Sequence, residues 1–498
     1  MHRLRLSVWA DGAVFSLFGL WFTEFTGLKA GKDFSMKHMN VFNTLTRKKE
    51  EFIPLKEGEY KIYVCGPTVY NYIHIGNARP AVVFDTLRRY LEYKGNKVTY
   101  VSNITDIDDK IIKRSIEEGI TFEEVARKYE NEYYHDLQGL NVRFADVRPR
   151  VSDHIPEIID IVEKLIEKEH AYKVENGDVY FRVHSFKDYG KLSHQPMEEL
   201  EAGARIDVGE IKEAAADFAL WKAAKPGEPH WHSPFSEGRP GWHIECSAMS
   251  RKHLGETIDL HCGGQDLIFP HHENEIAQSE CASDKEFARY WMHNGYINVD
   301  NQKMSKSLNN FFTVRDISDQ FGYEPIRYFL LTAHYRSPLN FTREVMEQAK
   351  NSLERLYTAR EHLEFLVANS TGTEETIKAA ADKLKAEFIE VMDDDLNTAD
   401  ALSKLFELVT VINTTGTQQT KEALAYTADI FDELAGVMGL LYNRKTDEIP
   451  QKVKDLVAER TEVRKAKNWA RADQIRDELA ELGYIVKDTP QGPQILKK

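Results

Sequence analysis

Three stretches of this 498-residue chain place reactive residue types at spacings that could do chemistry. The first follows Gly66: it opens with Pro67 and Thr68 and closes on His74, Ile75, Gly76 and Asn77. An imidazole, an amide and a glycine where a loop meets a helix N-terminus suit a phosphate. Free backbone N–H groups and the positive helix end face it, and Gly76 lets a flat ring or a phosphate come close to the backbone. As a bare string the stretch equally describes a polar loop that caps a helix. The second is Lys303, Met304, Ser305, Lys306 and Ser307, with Asn301, Asn309 and Asn310 around it. Two ammonium groups three residues apart can follow charge as it develops at phosphorus; a solvated surface loop has the same composition. The third is a set of metal-ligand types. His271 and Glu275 stand four apart on a helix that Pro270 can begin, so they share a face. An ion pair is the plain alternative. The four cysteines are Cys65, Cys246, Cys262 and Cys281, and no Cys-x-x-Cys joins any two of them. Two thiolates, an imidazole and a carboxylate would make a zinc site.

The elements around these stretches read as α/β. Residues 60–65 alternate as a strand, 78–93 carry apolar residues at helical spacing, and 97–102 alternate again. Strand, loop, helix, strand in that compass is a crossover unit with a parallel sheet. Ligands on such sheets sit at the carboxyl ends of the strands, so residues 65–77 fall at the expected place. Residues 148–224 read as an insertion. Strands at 257–260 and 290–299, around a helix at 270–283, resume the pattern. After 341 the text becomes helical, with amphipathic stretches at 342–366, 376–392, 400–412 and 421–438. Residues 1–38 look foreign to the rest: a basic start and an apolar run loosely resemble a signal peptide, and the simpler reading is a leader or an over-long start.

Composition bounds the function. Hydrophobic residues make up 42% and charged residues 29%, as in ordinary globular proteins. The net charge of −15 argues against gripping nucleic acid with the whole surface. No apolar run is long enough to span a bilayer, so no membrane is expected. Few cysteines in a long chain fit a reducing, cytoplasmic setting. At about 150 residues per domain the length implies about three domains.

The order of the motifs says more than any one of them. Cys-Gly-Pro-Thr-Val-Tyr leads into His-Ile-Gly-Asn; Trp-His-Ile-Glu-Cys, Phe-Pro-His-His-Glu-Asn-Glu and Lys-Met-Ser-Lys-Ser follow. This series closely resembles the bacterial cysteinyl-tRNA synthetases, a family of class I aminoacyl-tRNA synthetases. The likeness runs from about Met39 to the C-terminus. It includes residues 392–399 and 464–476.

The resemblance implies a Rossmann-type parallel-sheet catalytic domain at 39–340 with its insertion, a helical bundle at 341–445 and an anticodon-binding region at 446–498. It implies activation of L-cysteine by ATP to cysteinyl-adenylate, then transfer to the terminal adenosine of tRNA(Cys), by a monomer. Carried over by position, Cys65, Cys246, His271 and Glu275 hold one Zn2+ that selects the cysteine thiolate. Mg2+ accompanies ATP. His74, Asn77, Lys303 and Lys306 are the catalytic set, and Pro67, Thr68, Gly76 and Ser305 join them at ATP. The general pattern of the class has a second His where this chain has Asn77, which cannot carry charge. Gly66, Thr105, Trp242, His261 and Asp266 line the cysteine pocket. In the C-terminal region Trp469, Arg471 and Arg476 are expected to meet tRNA, since aromatic and guanidinium groups suit splayed bases.

Three rivals remain. Cysteine–aminosugar ligases of mycothiol synthesis share the core, the zinc logic and both ATP motifs but lack a long anticodon-reading tail. A non-catalytic tRNA-binding paralogue would not need His74, Lys306 and a full ligand set. A zinc hydrolase would need a general base of the His-Glu-x-x-His type beside the metal.

Overall fold

The computed structural model describes residues 38–196, 211–303, 312–444, 449–489 and 492–497. All of the expected N-terminal extension except His38 lies outside them, and so do Ser305 and Lys306.

Strand β1 (Glu59–Val64) leads through the His74–Asn77 stretch into helix α1 (Ile75–Tyr93), which returns to strand β2 (Lys97–Ser102). Helix α2 (Trp242–Leu254), strand β3 (Ile258–Gly264), helix α3 (Glu273–Ser283) and strand β4 (Ala288–Asn294) complete the catalytic layer. The four strands form one parallel sheet in the order β4-β3-β1-β2. Period-two alternation gives each strand two destinations. Tyr60, Ile62 and Val64 enter the core that packs on α1, with Val82, Val83 and Leu87. Tyr63 enters the opposite core, with Val101, Ile244 and Trp291.

Among the boundaries that differ from the sequence expectation, three have a clear local reason. Helix α1 starts at Ile75 rather than Ala78, because His74 caps it: the Asn77 N–H donates to His74 Nδ1. The strand expected over 290–299 is two strands. The chain leaves the parallel sheet at Gly295 and Tyr296 and enters a second sheet as β5 (Ile297–Val299), which pairs with β6 (Gln302–Lys303). The helix expected from Pro270 begins at Glu273, because Phe269 is extended and residues 268–272 form a wider turn. Within the insertion, helix Ile155–Glu167 precedes a four-stranded antiparallel sheet that continues to Gly238–Pro240.

Helix α4 (Tyr323–Leu331) and strand β7 (Leu339–Phe341) lead into four long helices, α5 (Arg343–Asn369), α6 (Thr376–Asp393), α7 (Thr398–Thr415) and α8 (Lys421–Met438). Leu363, Phe388, Leu405 and Phe431 meet inside them and are fully buried. The C-terminal part is two helices, α9 (Gln451–Lys465) and α10 (Trp469–Glu481), with a hairpin of β8 (Tyr484–Thr489) and β9 (Gly492–Lys497). It has a small core of its own around Leu456, Ile475 and Leu479.

One buried cation joins the catalytic layer to the bundle. Arg327 on α4 donates to the carbonyls of Met438 at the end of α8 (2.8 Å) and of Leu140 and Asn141 (both 3.1 Å). It also meets Asp85 Oδ2 on α1 at 2.8 Å. Gly439 ends α8 at φ 67°, where a Cβ would lie 2.4 Å from the Arg327 guanidinium. Burial alone would raise the Asp85 pKa, but Arg89, Arg327 and Arg143 together hold it well below the carboxylate range. Removing one partner of such a pair leaves an uncompensated buried charge, at about 3–5 kcal/mol. Asp85→Asn should lower stability by that order in urea denaturation at neutral pH. The folded pKa is depressed, so the contribution is complete above the unfolded value near 4 and fades as pH falls below it. The gap between the two proteins should therefore stay constant above about pH 5 and narrow in acid.

Candidate active site

Strand β1 ends where its sheet opens. Cys65 follows directly, with its N–H donating to the Cys262 carbonyl of β3 (3.2 Å). Gly66 then passes so close to the neighbouring chain that a Cβ there would lie 1.7 Å from the Asn103 carbonyl oxygen, and its N–H donates to Asn103 Oδ1 (2.8 Å). Thr68 and Thr105 bridge the two strand ends. A cavity of about 480 Å3 opens over these ends. Gly66, Pro67, Thr68, His74, Gly76 and Asn77 line it, and so do Thr105, Trp242 and Asp266. Cys65, Cys246 and His271 form part of its wall.

The candidate ligands converge. Cys65, Cys246, His271 and Glu275 each offer a donor atom, and these atoms all lie within 4.8 Å of one another. The two sulfurs are 3.8 Å apart, the spacing of two thiolates on one tetrahedral zinc with bonds of about 2.3 Å. Cys65 Sγ is 3.6 Å from Glu275 Oε1, and His271 Nε2 is 3.0 Å from the same oxygen. Soft sulfur with imidazole and a single carboxylate is a donor set suited to zinc. Charge is shared unevenly among the four groups. Burial pushes the Cys65 thiol up, while the hydrogen bond from Cys65 lowers Cys246 to about 6. Burial would raise Glu275 and lower His271. Their mutual attraction wins, with help from His261 at the carboxylate and Cys246 at the imidazole, and leaves Glu275 at about 2 and His271 at about 10.

His261 sits elsewhere than the pocket expected for it. It is fully buried on β3, stacks on Trp291 at 4.5 Å, and places Nε2 2.8 Å from Glu275 Oε2. It therefore backs the carboxylate from behind and is not among the residues that line the cavity. Trp242 is 42% exposed and stacks on His271 at 4.4 Å. Thr105 Oγ1 donates to Glu245 Oε2 at 2.9 Å, and burial raises the Glu245 carboxyl well above its usual range.

Sequence reasoning missed two residues of this floor. His272 places Nε2 3.3 Å from Cys65 Sγ, and its Nδ1 is 2.8 Å from His293 Nε2. Cys65, His261, His272 and Glu275 form a second convergent group that shares two members with the first. The adjacent His271 and His272 were the available signal. Asn103, which receives the Gly66 N–H, had none.

The lysine–serine stretch is reached from both ends. Lys303 pairs with Asn298 in the β5–β6 ribbon. On the far side the Ile75 N–H donates to the Phe312 carbonyl (3.3 Å), and the Val314 N–H donates to the Ile73 carbonyl (2.9 Å). In the C-terminal part Trp469 is 57% exposed, with the Arg464 guanidinium 5.9 Å from its ring. Arg471 is held by Glu459 (2.8 Å) and Glu478 (2.6 Å), and Arg476 is exposed beside Asp473.

Comparison with known proteins identifies the family. Residues 51–351 match the family described as the tRNA synthetases class I (C) catalytic domain. Residues 387–442 match the DALR domain, and 446–495 match the cysteinyl-tRNA ligase anticodon binding domain. Among solved structures, a methionyl-tRNA synthetase of Mycobacterium tuberculosis is similar with a TM-score of 0.57 at 16% identity, over 76% of this chain and 89% of its own. A putative arginyl-tRNA synthetase of Campylobacter jejuni has a TM-score of 0.52 at 15% identity, over 77% and 93%. Fold and catalytic-domain match define a class I aminoacyl-tRNA synthetase. The cysteine–tRNA ligase of Caldicellulosiruptor saccharolyticus is 57% identical over 92% of this chain and 99% of its own, and that of Clostridioides difficile is 55% identical over 91% and 99%. The chain belongs to the cysteine–tRNA ligase family.

The ligand geometry carries a direct expectation. Metal analysis of the purified chain should find about one divalent ion per chain. Cys246→Ser should lose most of it, as read by a chromogenic chelator; full occupancy in that variant would remove Cys246 from the ligand set.

Proposed function

We propose that this chain charges tRNA(Cys) with L-cysteine at the expense of ATP. The observation that carries the reading is the pair of sulfurs 3.8 Å apart at one end of a cavity that also contains His74, Gly76 and Asn77. A thiolate trap and a phosphate cradle then share one chamber, as cysteine and ATP must to react. The C-terminal match to an anticodon-binding domain favours a tRNA over an aminosugar as acceptor.

In this reading a carboxylate oxygen of cysteine attacks the α-phosphorus of ATP, and pyrophosphate leaves. The 2′-hydroxyl of the terminal adenosine then attacks the carbonyl carbon, and AMP leaves. His74 and Asn77, at the start of α1, orient the phosphates together with the free N–H groups of the first turn. Lys303 and Lys306 neutralise charge on the leaving pyrophosphate, with Ser305 beside them and Mg2+ bound to the nucleotide. Thr105, Trp242 and Asp266 hold the amino acid, and His261 orients Glu275 from behind.

Cys65, Cys246, His271 and Glu275 would hold zinc, which when bound supplies a soft Lewis acid that prefers a thiolate to a hydroxyl. Shape alone separates near-isosteres such as cysteine and serine by only about 10- to 200-fold. The reading includes a monomer as the active unit. None of the four cysteines is disulfide-bonded, which fits the cytoplasm, and among the described residues no helix is long and apolar enough to cross a membrane.

Cysteine-dependent ATP–pyrophosphate exchange tests the reading. Exchange should appear with cysteine, stay near background with serine, and fall on chelation. Exchange independent of the amino acid, or equal with serine, would overturn it. Lys306→Ala should slow exchange by about 10²-fold or more while changing cysteine binding little. In the charging assay Trp469→Ala should raise KM for tRNA, since stacking contributes about 1–3 kcal/mol per base.

A further inference from the structure

Arg79 lies on α1, five residues beyond His74, and its side chain is fully buried. Among the described residues no carboxylate pairs with it. Its guanidinium instead donates four hydrogen bonds to backbone carbonyls in two separate segments. Nη1 reaches Gly295 (2.7 Å) and Tyr296 (3.0 Å), and Nη2 reaches Ser337 (2.7 Å) and His334 (3.3 Å). Burial lowers its pKa to about 10, so it remains a cation at neutral pH.

The two segments are the roots of the second sheet. Gly295 and Tyr296 link β4 to β5, and residues 334–337 lead to β7, which pairs with β5 in parallel from Ile297 and Leu339 onward. The roots also bond each other: the Gly295 N–H donates to the Tyr335 carbonyl (2.8 Å), and the Leu339 N–H donates to the Tyr296 carbonyl (2.9 Å). They pack so closely that a Cβ on Gly295 would sit 2.6 Å from the Arg336 carbonyl oxygen and 2.7 Å from that of Ser337. Asn294, Gly295, Tyr296 and Ile297 line the same cavity as His74, Gly76 and Asn77. Beyond them β5 carries β6, which ends at Lys303.

We propose that Arg79 is a positioning residue that sets the spacing between the phosphate-binding start of α1 and the opposite cavity wall at Asn294–Tyr296, and thereby the fit of ATP between them. The proposal rests on the reading that this cavity takes ATP. A helix rises about 1.5 Å per residue, so His74 and Arg79 are held at a fixed separation of about 7.5 Å along one rigid rod. The planar fork spans two loops at once, which a single ammonium on a flexible stem cannot do. A cation buried for packing alone would be expendable to an apolar side chain of similar volume. Here four carbonyl acceptors would lose the donors that tie both roots to α1, and the spacing that those bonds set would relax. None of the four candidate metal ligands lies on the two roots: Cys65 follows β1, Cys246 is on α2, His271 is in the turn at 268–272 and Glu275 is on α3.

The test separates nucleotide from amino acid. Wild type, Arg79→Gln, Arg79→Lys and Gly295→Ala are compared in pyrophosphate exchange, in equilibrium binding of the non-cleavable α,β-methylene analogue of ATP, in cysteine binding without nucleotide, and in metal content. Misplacing a reacting group by about 1 Å can cost about 10²-fold. For Arg79→Gln, kcat/KM for ATP should fall by that order and analogue binding should weaken, while cysteine affinity and metal content stay within about twofold. Arg79→Lys should retain most of the defect. Gly295→Ala should reproduce it from the acceptor side, by forcing the roots apart with Arg79 intact. Unchanged ATP parameters in Arg79→Gln, equal losses for ATP and cysteine, or full recovery in Arg79→Lys would overturn the proposal. If Arg79→Gln does not fold, Gly295→Ala decides: selective loss of ATP supports the proposal, and parallel loss of both substrates overturns it. Wild type that binds the analogue without cysteine-dependent exchange would overturn the functional reading alone, leaving Arg79 to the analogue-binding arm. Wild type that does not bind it would overturn both.

Discussion

The chemistry of this molecule depends on how closely two parallel strand ends approach each other. At residue 66 there is no room for a side chain, because the Asn103 carbonyl occupies the place of a Cβ. That contact brings β1 and β2 together at their carboxyl ends, where the Asn103 amide oxygen also accepts the Gly66 N–H. Cys65 is thereby held at the floor of the cavity rather than on a loop above it. Thr68 and Thr105 are drawn into a bridge one step further out. A parallel sheet leaves its C-terminal edge free for ligands; here that edge is pinned before the chain turns into α1. A thiol on a strand end is positioned more narrowly than one on a loop, as a metal ligand must be.

The opposite side of the candidate metal site is built by burial of charge. Glu275 is fully enclosed, and two imidazoles meet its two oxygens, His271 at Oε1 and His261 at Oε2. An isolated carboxylate there would be expensive, and pairing makes it tolerable. The imidazoles are themselves held by stacking: His271 lies against Trp242, and His261 lies against Trp291. His272 is pushed well below the usual histidine range by burial and by neighbouring imidazoles, so it is a neutral ring with a hydrogen bond to His293. The aromatic and imidazole packing thus does for this half of the site what the Gly66 contact does for the other: it removes freedom from the donor atoms before any ion arrives.

Much of this was legible in the sequence, and the exceptions share a cause. Strand 97–102 and helix 421–438 match their expected bounds because period and punctuation agree there: Gly95 precedes the strand and Gly439 follows the helix. The convergence of Cys65 and Cys246 was reachable only through the order of motifs, since 181 residues separate them. The break at Gly295 had a signal in the Asn294-Gly295 dipeptide, typical of a turn, but the apolar residues before and after it, Trp291 and Met292 then Ile297 and Val299, read as one strand. His261 was expected in the pocket, yet strand alternation sends it to the face shared with Tyr63 and Trp291 while Cys262 points to the other core. Which face a residue takes depends on the register of three strands, and a linear sequence does not display register. Arg79 was invisible for a similar reason: its partners are carbonyls, which carry no sequence signal.

Charge distribution ties the ends of the molecule together. The whole chain carries −15, yet residues 451–498 hold eleven basic against eight acidic residues. Within that region the basic groups are not equally available. Arg460 and Arg464 converge on Asp488, and Arg471 is bound by two glutamates, so these cations shape the small domain. Trp469 is instead exposed at the start of α10, next to Asn468, whose side chain caps the helix by accepting the Arg471 N–H. A surface of that kind gains from a stacked base as well as from phosphate charge, while an acidic body disfavours indiscriminate RNA binding. Both ends of the molecule thus hold some polar groups still through neighbouring side chains and leave others exposed.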